Sequence, residues 1–142
     1  MLKRPNIKLV LDTHVFLWLI NGDKDLSSKG TEVILKNAED GSIALSAISL
    51  WEISMLYARR RILLNQPCLN WINRSLEAPG IVLCPLTPEI AVESSTLPGI
   101  FHGDPADRII VATARVLSVP LVTKDQRILN YREESYLECI KA

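Results

Sequence analysis

Histidine and cysteine are scarce in this chain: His14 and His102 of one, and Cys68, Cys84 and Cys139 of the other, among 142 residues. Two histidines are too few for a histidine-rich transition-metal site. An odd cysteine count with no Cys-x-x-Cys pair argues against a disulfide framework and a zinc knuckle, and reduced cytosolic thiols are expected. Net charge is missing too. The 16 basic and 16 acidic residues cancel, so the chain is no general polyanion binder; duplex DNA is disfavoured, and a local basic patch stays open. No window approaches the ~18 apolar residues of a membrane span. Lys3, Arg4 and Lys8 precede an apolar stretch as in a secretory signal, but Asp12 and His14 interrupt it and no small-x-small cleavage site follows. The expectation is a soluble cytoplasmic protein. Without an internal repeat, linker or low-complexity segment, residues 1–142 are expected to form a single domain with a sizeable core.

What the chain does have is a succession of short apolar runs separated by helical stretches. Ile7 to Leu11 is apolar except at Lys8, which suits a central parallel strand buried on both faces. Thr13 to Ile20 reads as a helix capped by Asp12 or Thr13 and stopped by Asn21-Gly22-Asp23. Further helices are expected over Ser27–Glu39, Ser49 to about Arg60, Pro67–Leu76, from Thr87-Pro88, and from Asp104-Pro105 to Leu117. Strands are expected at Ser42–Ser46, Ile81–Cys84, Pro120–Thr123 and, as an edge, Tyr136–Ile140, with at most a short helix over Gln126–Asn130. Strands alternating with helices predict an α/β fold: a three-layer α/β/α sandwich round a parallel sheet of four to five strands.

Four acidic residues follow these apolar runs. Asp12 comes after the first strand, Glu52 in the helix after the second, Asp107 at the start of the helix Arg108–Ala112, and Asp125 after Val119-Pro120-Leu121-Val122. Each has an ordinary explanation. Asp12 and Asp125 can cap helices, Ser49-Leu50-Trp51-Glu52 matches a capping box, and Asp107 after Asp104-Pro105 favours a helix dipole. Caps, however, have no need to converge. In a doubly wound sheet the carboxyl ends of the strands meet at a crevice. Asp12 would stand there with Asp107 and Asp125 to one side and Glu52 to the other. Carboxylates so gathered repel one another unless a cation lies between them. Hard oxygen ligands in a partly open site suit Mg²⁺ or Mn²⁺, ions that assist phosphodiester hydrolysis.

Leu11-Asp12-Thr13-His14, Ser49-Leu50-Trp51-Glu52-Ile53, Asp104-Pro105-Ala106-Asp107-Arg108-Ile109-Ile110-Val111-Ala112-Thr113-Ala114 and Leu121-Val122-Thr123-Lys124-Asp125 together resemble the PIN domain. More narrowly they resemble the VapC-type ribonuclease toxins of bacterial toxin–antitoxin pairs, over about Ile7 to Ile140. The resemblance implies metal-dependent cleavage of single-stranded RNA, a parallel-sheet fold, and homodimers neutralised by a small antitoxin, with larger toxin–antitoxin assemblies open. It places Asp12, Glu52, Asp107 and Asp125 in the family's acidic quartet, Asp104 at an extra acid of the narrower group, and Thr13 and Thr123 at hydroxyl positions beside the acids. Where that group carries arginine before the last acid, Lys124 stands here; both are cationic, but only arginine offers a bidentate fork. Asp12 and Asp107 are expected to be the main metal ligands, the number of ions being open. Glu52 and Asp125 would complete the ring and orient the attacking water.

Arg59-Arg60-Arg61 is the densest basic run, and Arg108, Arg115, Lys124 and Arg127 lie near the acids in sequence. These residues could guide an RNA backbone, or simply be solvated helix ends. No base-reading motif is visible. Trp51 is expected to pack beside the sheet rather than stack on a base, His14 to serve packing or surface rather than as a general base, and His102, in the loop before Asp104, to be a plain loop histidine rather than a substrate contact. The apolar run Val15–Ile20 is wide for one helix face, so it packs under the next helix or accepts an antitoxin helix. Two other functions compete. An aspartyl-phosphate hydrolase would want an acid two residues after Asp12, where His14 stands. A receiver-like or degenerate binding module would want an aspartate after the third strand, where Cys84-Pro85 stands, or would have lost acids.

Overall fold

The computed structural model describes residues 6–142; Lys3 and Arg4 of the amino-terminal basic run lie outside them. In chain order the elements are β1 (Ile7–Leu11), α1 (Thr13–Asn21), α2 (Ser28–Asp40), β2 (Ser42–Ser46), α3 (Ala47–Ala58), α4 (Cys68–Ser75), β3 (Ile81–Cys84), α5 (Pro88–Ser95), α6 (Pro105–Leu117), β4 (Leu121–Thr123), α7 (Gln126–Arg132) and β5 (Cys139–Lys141). The strands form one sheet in the order β3-β2-β1-β4-β5, every pairing parallel. β1 is central and the strand order reverses beside it, so β1 is the switch point of a doubly wound sheet.

Strand side chains alternate between two buried layers. Leu9, Leu11, Ile43, Leu45 and Val122 join one apolar cluster with Val15 and Phe16 of α1, Ile34 of α2, Ile53 of α3 and Trp71 of α4. Val10, Ala44 and Leu121 join the other with Ile90 of α5, Ile110 and Val111 of α6, and Ile128 and Tyr131 of α7. Two buried faces explain why the strand sequences show near-continuous apolar runs rather than polar alternation. The edge strands β3 and β5 are four and three residues long, which limits the open hydrogen-bonding edge.

The helix ends largely follow their sequence signals. Gly22, at φ 64°, closes α1 in the left-handed conformation that costs glycine least. Ser27, Thr87 and Asp104 cap α2, α5 and α6 through their side-chain oxygens. One expected start is wrong. α3 begins directly off β2, with Ser46 as both last strand residue and N-cap, its hydroxyl accepting from Ile48 N at 3.3 Å. Ser49 and Glu52 are therefore no capping box; they lie inside the helix. The shift also turns Trp51 outward. Ser49 and Ile53 face the interior, and Trp51, two residues from each, projects the opposite way with 56% of its surface exposed. Smaller bounds differ as well: α1, α2 and α4 shift by a residue at one or both ends, β4 starts at Leu121 instead of Pro120, α7 runs on to Arg132, and β5 is Cys139–Lys141.

The apolar stretch of α1 is covered in part within the fold. Val15, Phe16 and Leu17 are buried, while Trp18, Leu19 and Ile20 are half-buried against the same cluster. Phe16 meets Trp71 edge to face at 5.9 Å, and the Trp71 indole N–H donates to Asn21 Oδ1 at 3.2 Å. This pairing fastens α4 to α1.

Candidate active site

Asp12 emerges from the carboxyl end of β1 as the N-cap of α1. Its Oδ1 accepts from Thr13 N at 2.8 Å and its Oδ2 from the Thr123 hydroxyl at 2.7 Å. Thr123, the last residue of β4, accepts in turn from Asp125 N at 3.0 Å. One buried hydroxyl thus ties the acid after β1 to the acid after β4, on adjacent strands. On the other side, Thr13 Oγ1 donates to Glu52 Oε1 at 2.6 Å. That commits its only proton, so the Ser49 hydroxyl at 2.8 Å is the donor to Thr13. Ser49 is fully buried, and the capping-box reading had concealed this link.

Asp107 occupies the third position of α6, with its backbone N–H held by Asp104 Oδ1 at 3.1 Å. Asp125 caps α7 by accepting from Arg127 N at 2.8 Å. Capping and convergence therefore coexist: the caps aim the carboxylates. Asp12, Glu52, Asp104, Asp107 and Asp125 line one open cleft of about 570 Å³ at the carboxyl edge of the sheet. His14, Val15, Trp18, Arg61, Lys124 and Arg127 complete its wall.

Of these acids Asp12 and Asp107 are buried, Glu52 and Asp125 half-buried, and Asp104 exposed. Asp12 and Asp107 each retain only 8% of their surface. Burial pushes the Asp107 carboxyl up to about 7, helped by the negative charges of Asp12, Asp104, Asp125 and Glu52. Burial also raises Asp12, partly offset by the hydrogen bonds from Thr123 and Thr13, and raises Glu52, partly offset by the bond from Thr13. A buried carboxyl raised further by like-charged neighbours is one whose strain a bound cation would relieve. The oxygen donors fit a hard divalent ion such as Mg²⁺ or Mn²⁺. Among the described residues no group of three or more His, Cys, Asp or Glu side chains is placed to hold an ion. A centre here would rest on two carboxylates, with water and substrate supplying the remaining oxygens, as Mg²⁺ commonly accepts.

The basic residues divide. Arg127 reaches Asp107 Oδ2 at 3.5 Å and Asp125 Oδ2 at 3.4 Å, with 60% of its side chain exposed to the cleft mouth. Lys124 lines the cleft while donating to Asp25 O at 2.6 Å and lying 5.5 Å from the Trp18 ring centre. Arg61 lines the cleft, whereas Arg59 and Arg60 stand exposed beyond α3 and outside the wall. Arg108 and Arg115 are not phosphate guides. Arg108 donates to the carbonyls of Ser94, Phe101 and His102, and Arg115 pairs with Glu93 at 2.7 Å and donates to Tyr136 O. Of the two histidines, His14 is exposed and faces the cleft, and His102 Nε2 sits 3.3 Å from Asp107 Oδ2. The sequence hinted at His102 only by its nearness to Asp104.

The PIN domain model matches residues 9–134, which covers every one of these acids. This chain belongs to the PIN-domain family. It is 37% identical over 124 residues to ribonuclease VapC22 of Mycobacterium tuberculosis, spanning 87% of this chain and 92% of that protein. Among solved structures the fold resembles VapBC2 of Rickettsia felis bound to a promoter DNA fragment, at TM-score 0.67 and 18% identity over 95% and 98% of the two chains. It also resembles VapBC-5 of M. tuberculosis, from the VapBC family of toxin–antitoxin systems, at TM-score 0.56 and 19% identity over 97% and 100%. The five-stranded parallel sheet between helical layers is thus the PIN-like fold.

Proposed function

We propose that this protein is a Mg²⁺- or Mn²⁺-dependent endoribonuclease that cuts single-stranded regions of RNA, acting through residues 1–142 as a single nuclease domain and as the toxin of a toxin–antitoxin pair. The observation that carries the reading is the cleft in which Asp12, Glu52, Asp107 and Asp125 meet, with Asp107 pushed up to about 7 by burial and then by its acidic neighbours. Likeness to a protein named ribonuclease VapC22 supports the RNA substrate, and likeness to VapBC proteins supports a small antitoxin as partner. A homodimer, larger toxin–antitoxin assemblies and a cytoplasmic location belong to the same reading. No helix among the described residues is long and apolar enough to cross a membrane.

Asp12 and Asp107 would hold the ion, with Glu52 and Asp125 as outer partners. When bound, such an ion lowers the pKa of water and stabilises the charge that builds on a phosphodiester in transition. The protein's own part is orientation. Thr13 N and Thr123 Oγ1 fix both oxygens of Asp12, and Thr13 Oγ1 fixes Glu52. Glu52, with its acidity weakened by burial, is suited to accept a proton from a water oriented for in-line attack. Arg127, Arg61 and Lys124 at the rim supply positive charge to the RNA backbone and offset the acids that would otherwise repel it.

The test is a single-stranded RNA incubated with purified protein, with and without Mn²⁺. Cleavage is expected only with the metal, and Asp12→Asn, which keeps a good helix cap, is expected to abolish it while preserving the fold. Cleavage retained by Asp12→Asn in a nuclease-free preparation would overturn the assignment.

A further inference from the structure

His102 stands in a loop whose shape is over-determined. Arg108 Nη1 donates to the carbonyls of Phe101 at 3.0 Å and His102 at 3.3 Å, and its Nε to Ser94 O at 2.8 Å. Phe101 packs edge to face on Tyr131 at 5.0 Å, and the Tyr131 hydroxyl donates to Pro98 O at 2.6 Å. The imidazole itself is held by the backbone, since Asp104 N donates to Nδ1 at 3.3 Å. A nitrogen that accepts a hydrogen bond carries no proton, so the neutral ring bears its proton on Nε2. That nitrogen is buried, and among the described residues it makes no well-aligned hydrogen bond; its acceptor at hand is Asp107 Oδ2, 3.3 Å away.

We propose that His102 is a positioning residue for Asp107. Its Nε2–H lies 3.3 Å from Oδ2, the oxygen that Arg127 also approaches, and is placed to turn onto it, leaving the other oxygen for the divalent ion. Nε2 is buried, so that nitrogen lacks the access that a general acid to the leaving group needs. The arrangement supports a ligand in the way outer hydrogen bonds support metal-bound side chains, where their loss costs 10–100-fold in affinity. The inference rests on the metal-dependent nuclease reading and adds to it a residue that orients the ligand.

Two substitutions separate this role from loop architecture. His102→Asn keeps an oxygen near the Nδ1 position for Asp104 N and removes the donor to Asp107. His102→Gln reaches as far as Nε2 and restores an N–H there. Mn²⁺ affinity measured by titration calorimetry on the full chain is expected to fall about 10-fold or more in His102→Asn and to return to within about threefold of wild type in His102→Gln. Both variants are expected to keep the wild-type melting temperature in metal-free buffer within ~3 °C. In the metal-free wild type, ¹⁵N NMR is expected to show His102 with Nε2 protonated and Nδ1 bare at pH 7. A ring protonated on Nδ1, or a His102→Asn variant that binds Mn²⁺ like wild type, would overturn the positioning role and leave the nuclease reading standing. A wild-type protein that binds no Mn²⁺ would overturn both.

Discussion

Asp107→Asn is expected to make the metal-free protein more stable while destroying its response to metal. In the fold the Asp107 carboxyl is pushed from its ordinary 3.8 to about 7, first by burial and then by Asp12, Asp104, Asp125 and Glu52. The sign follows from where the proton sits. Below pH 3.8 both folded and unfolded chains hold it and no penalty arises. Between there and about 7 the unfolded chain ionises while the folded one does not, so stability drains away as pH rises, and above that the loss is complete. Roughly three units at 1.36 kcal/mol each set a ceiling of about 4 kcal/mol. Asparagine forfeits the attraction of Arg127 and of the α6 dipole, so a net gain of about 2 kcal/mol is expected at pH 8. For a domain of this size that is roughly 6 °C in Tm. Asparagine resembles the protonated acid, so at pH 4 the two proteins should melt together. Thermal unfolding in chelator-treated buffer from pH 4 to 8 reads the difference directly. Addition of Mn²⁺ at 100 times its Kd should then stabilise the wild type by about 2.7 kcal/mol and the variant hardly at all. An Asp107→Asn protein that melts below wild type at pH 8, or gains as much from Mn²⁺, would refute the picture of a cleft under electrostatic strain.

Thr123→Val removes the hydroxyl that donates to Asp12 and accepts from Asp125 N, so RNA cleavage is expected to fall about 10–100-fold with the sheet intact by circular dichroism. Arg127→Ala should weaken RNA binding and flatten the salt dependence of binding by about one unit of slope, measured by fluorescence anisotropy across a salt series. Trp51→Ala should cost less than ~0.5 kcal/mol in urea unfolding, whereas Trp71→Ala, which strips the contact to Phe16 and orphans Asn21, should cost about 3–5 kcal/mol.

The strands, the parallel architecture and the gathering of the acids were legible because each depends on local pattern. An unbroken apolar run such as Ile7–Leu11 has to be covered on both faces, and an acid placed just after such a run has to emerge at the same edge as its counterparts. That argument needs only the spacing of residues and the topology it enforces. Three features were beyond its reach. Where α3 begins was decided by β2 handing Ser46 straight to the helix, and that choice rotated Trp51 out, Ser49 in, and Glu52 toward Thr13. The partners of the arginines were decided by how α5 and the loop after it pack on α6, so Arg108 and Arg115 were consumed by carbonyls and Glu93 while Arg127 stayed at the cleft. His102 acquired its relation to Asp107 only through the path of the loop before α6. The sequence by itself determined which residue types would meet, because periodicity and strand ends are one-dimensional properties. Tertiary structure alone decided which atom faces which, because hydrogen-bond geometry depends on helix phase and loop path, and a shift of one turn or one rotamer exchanges a buried partner for a solvent-facing one.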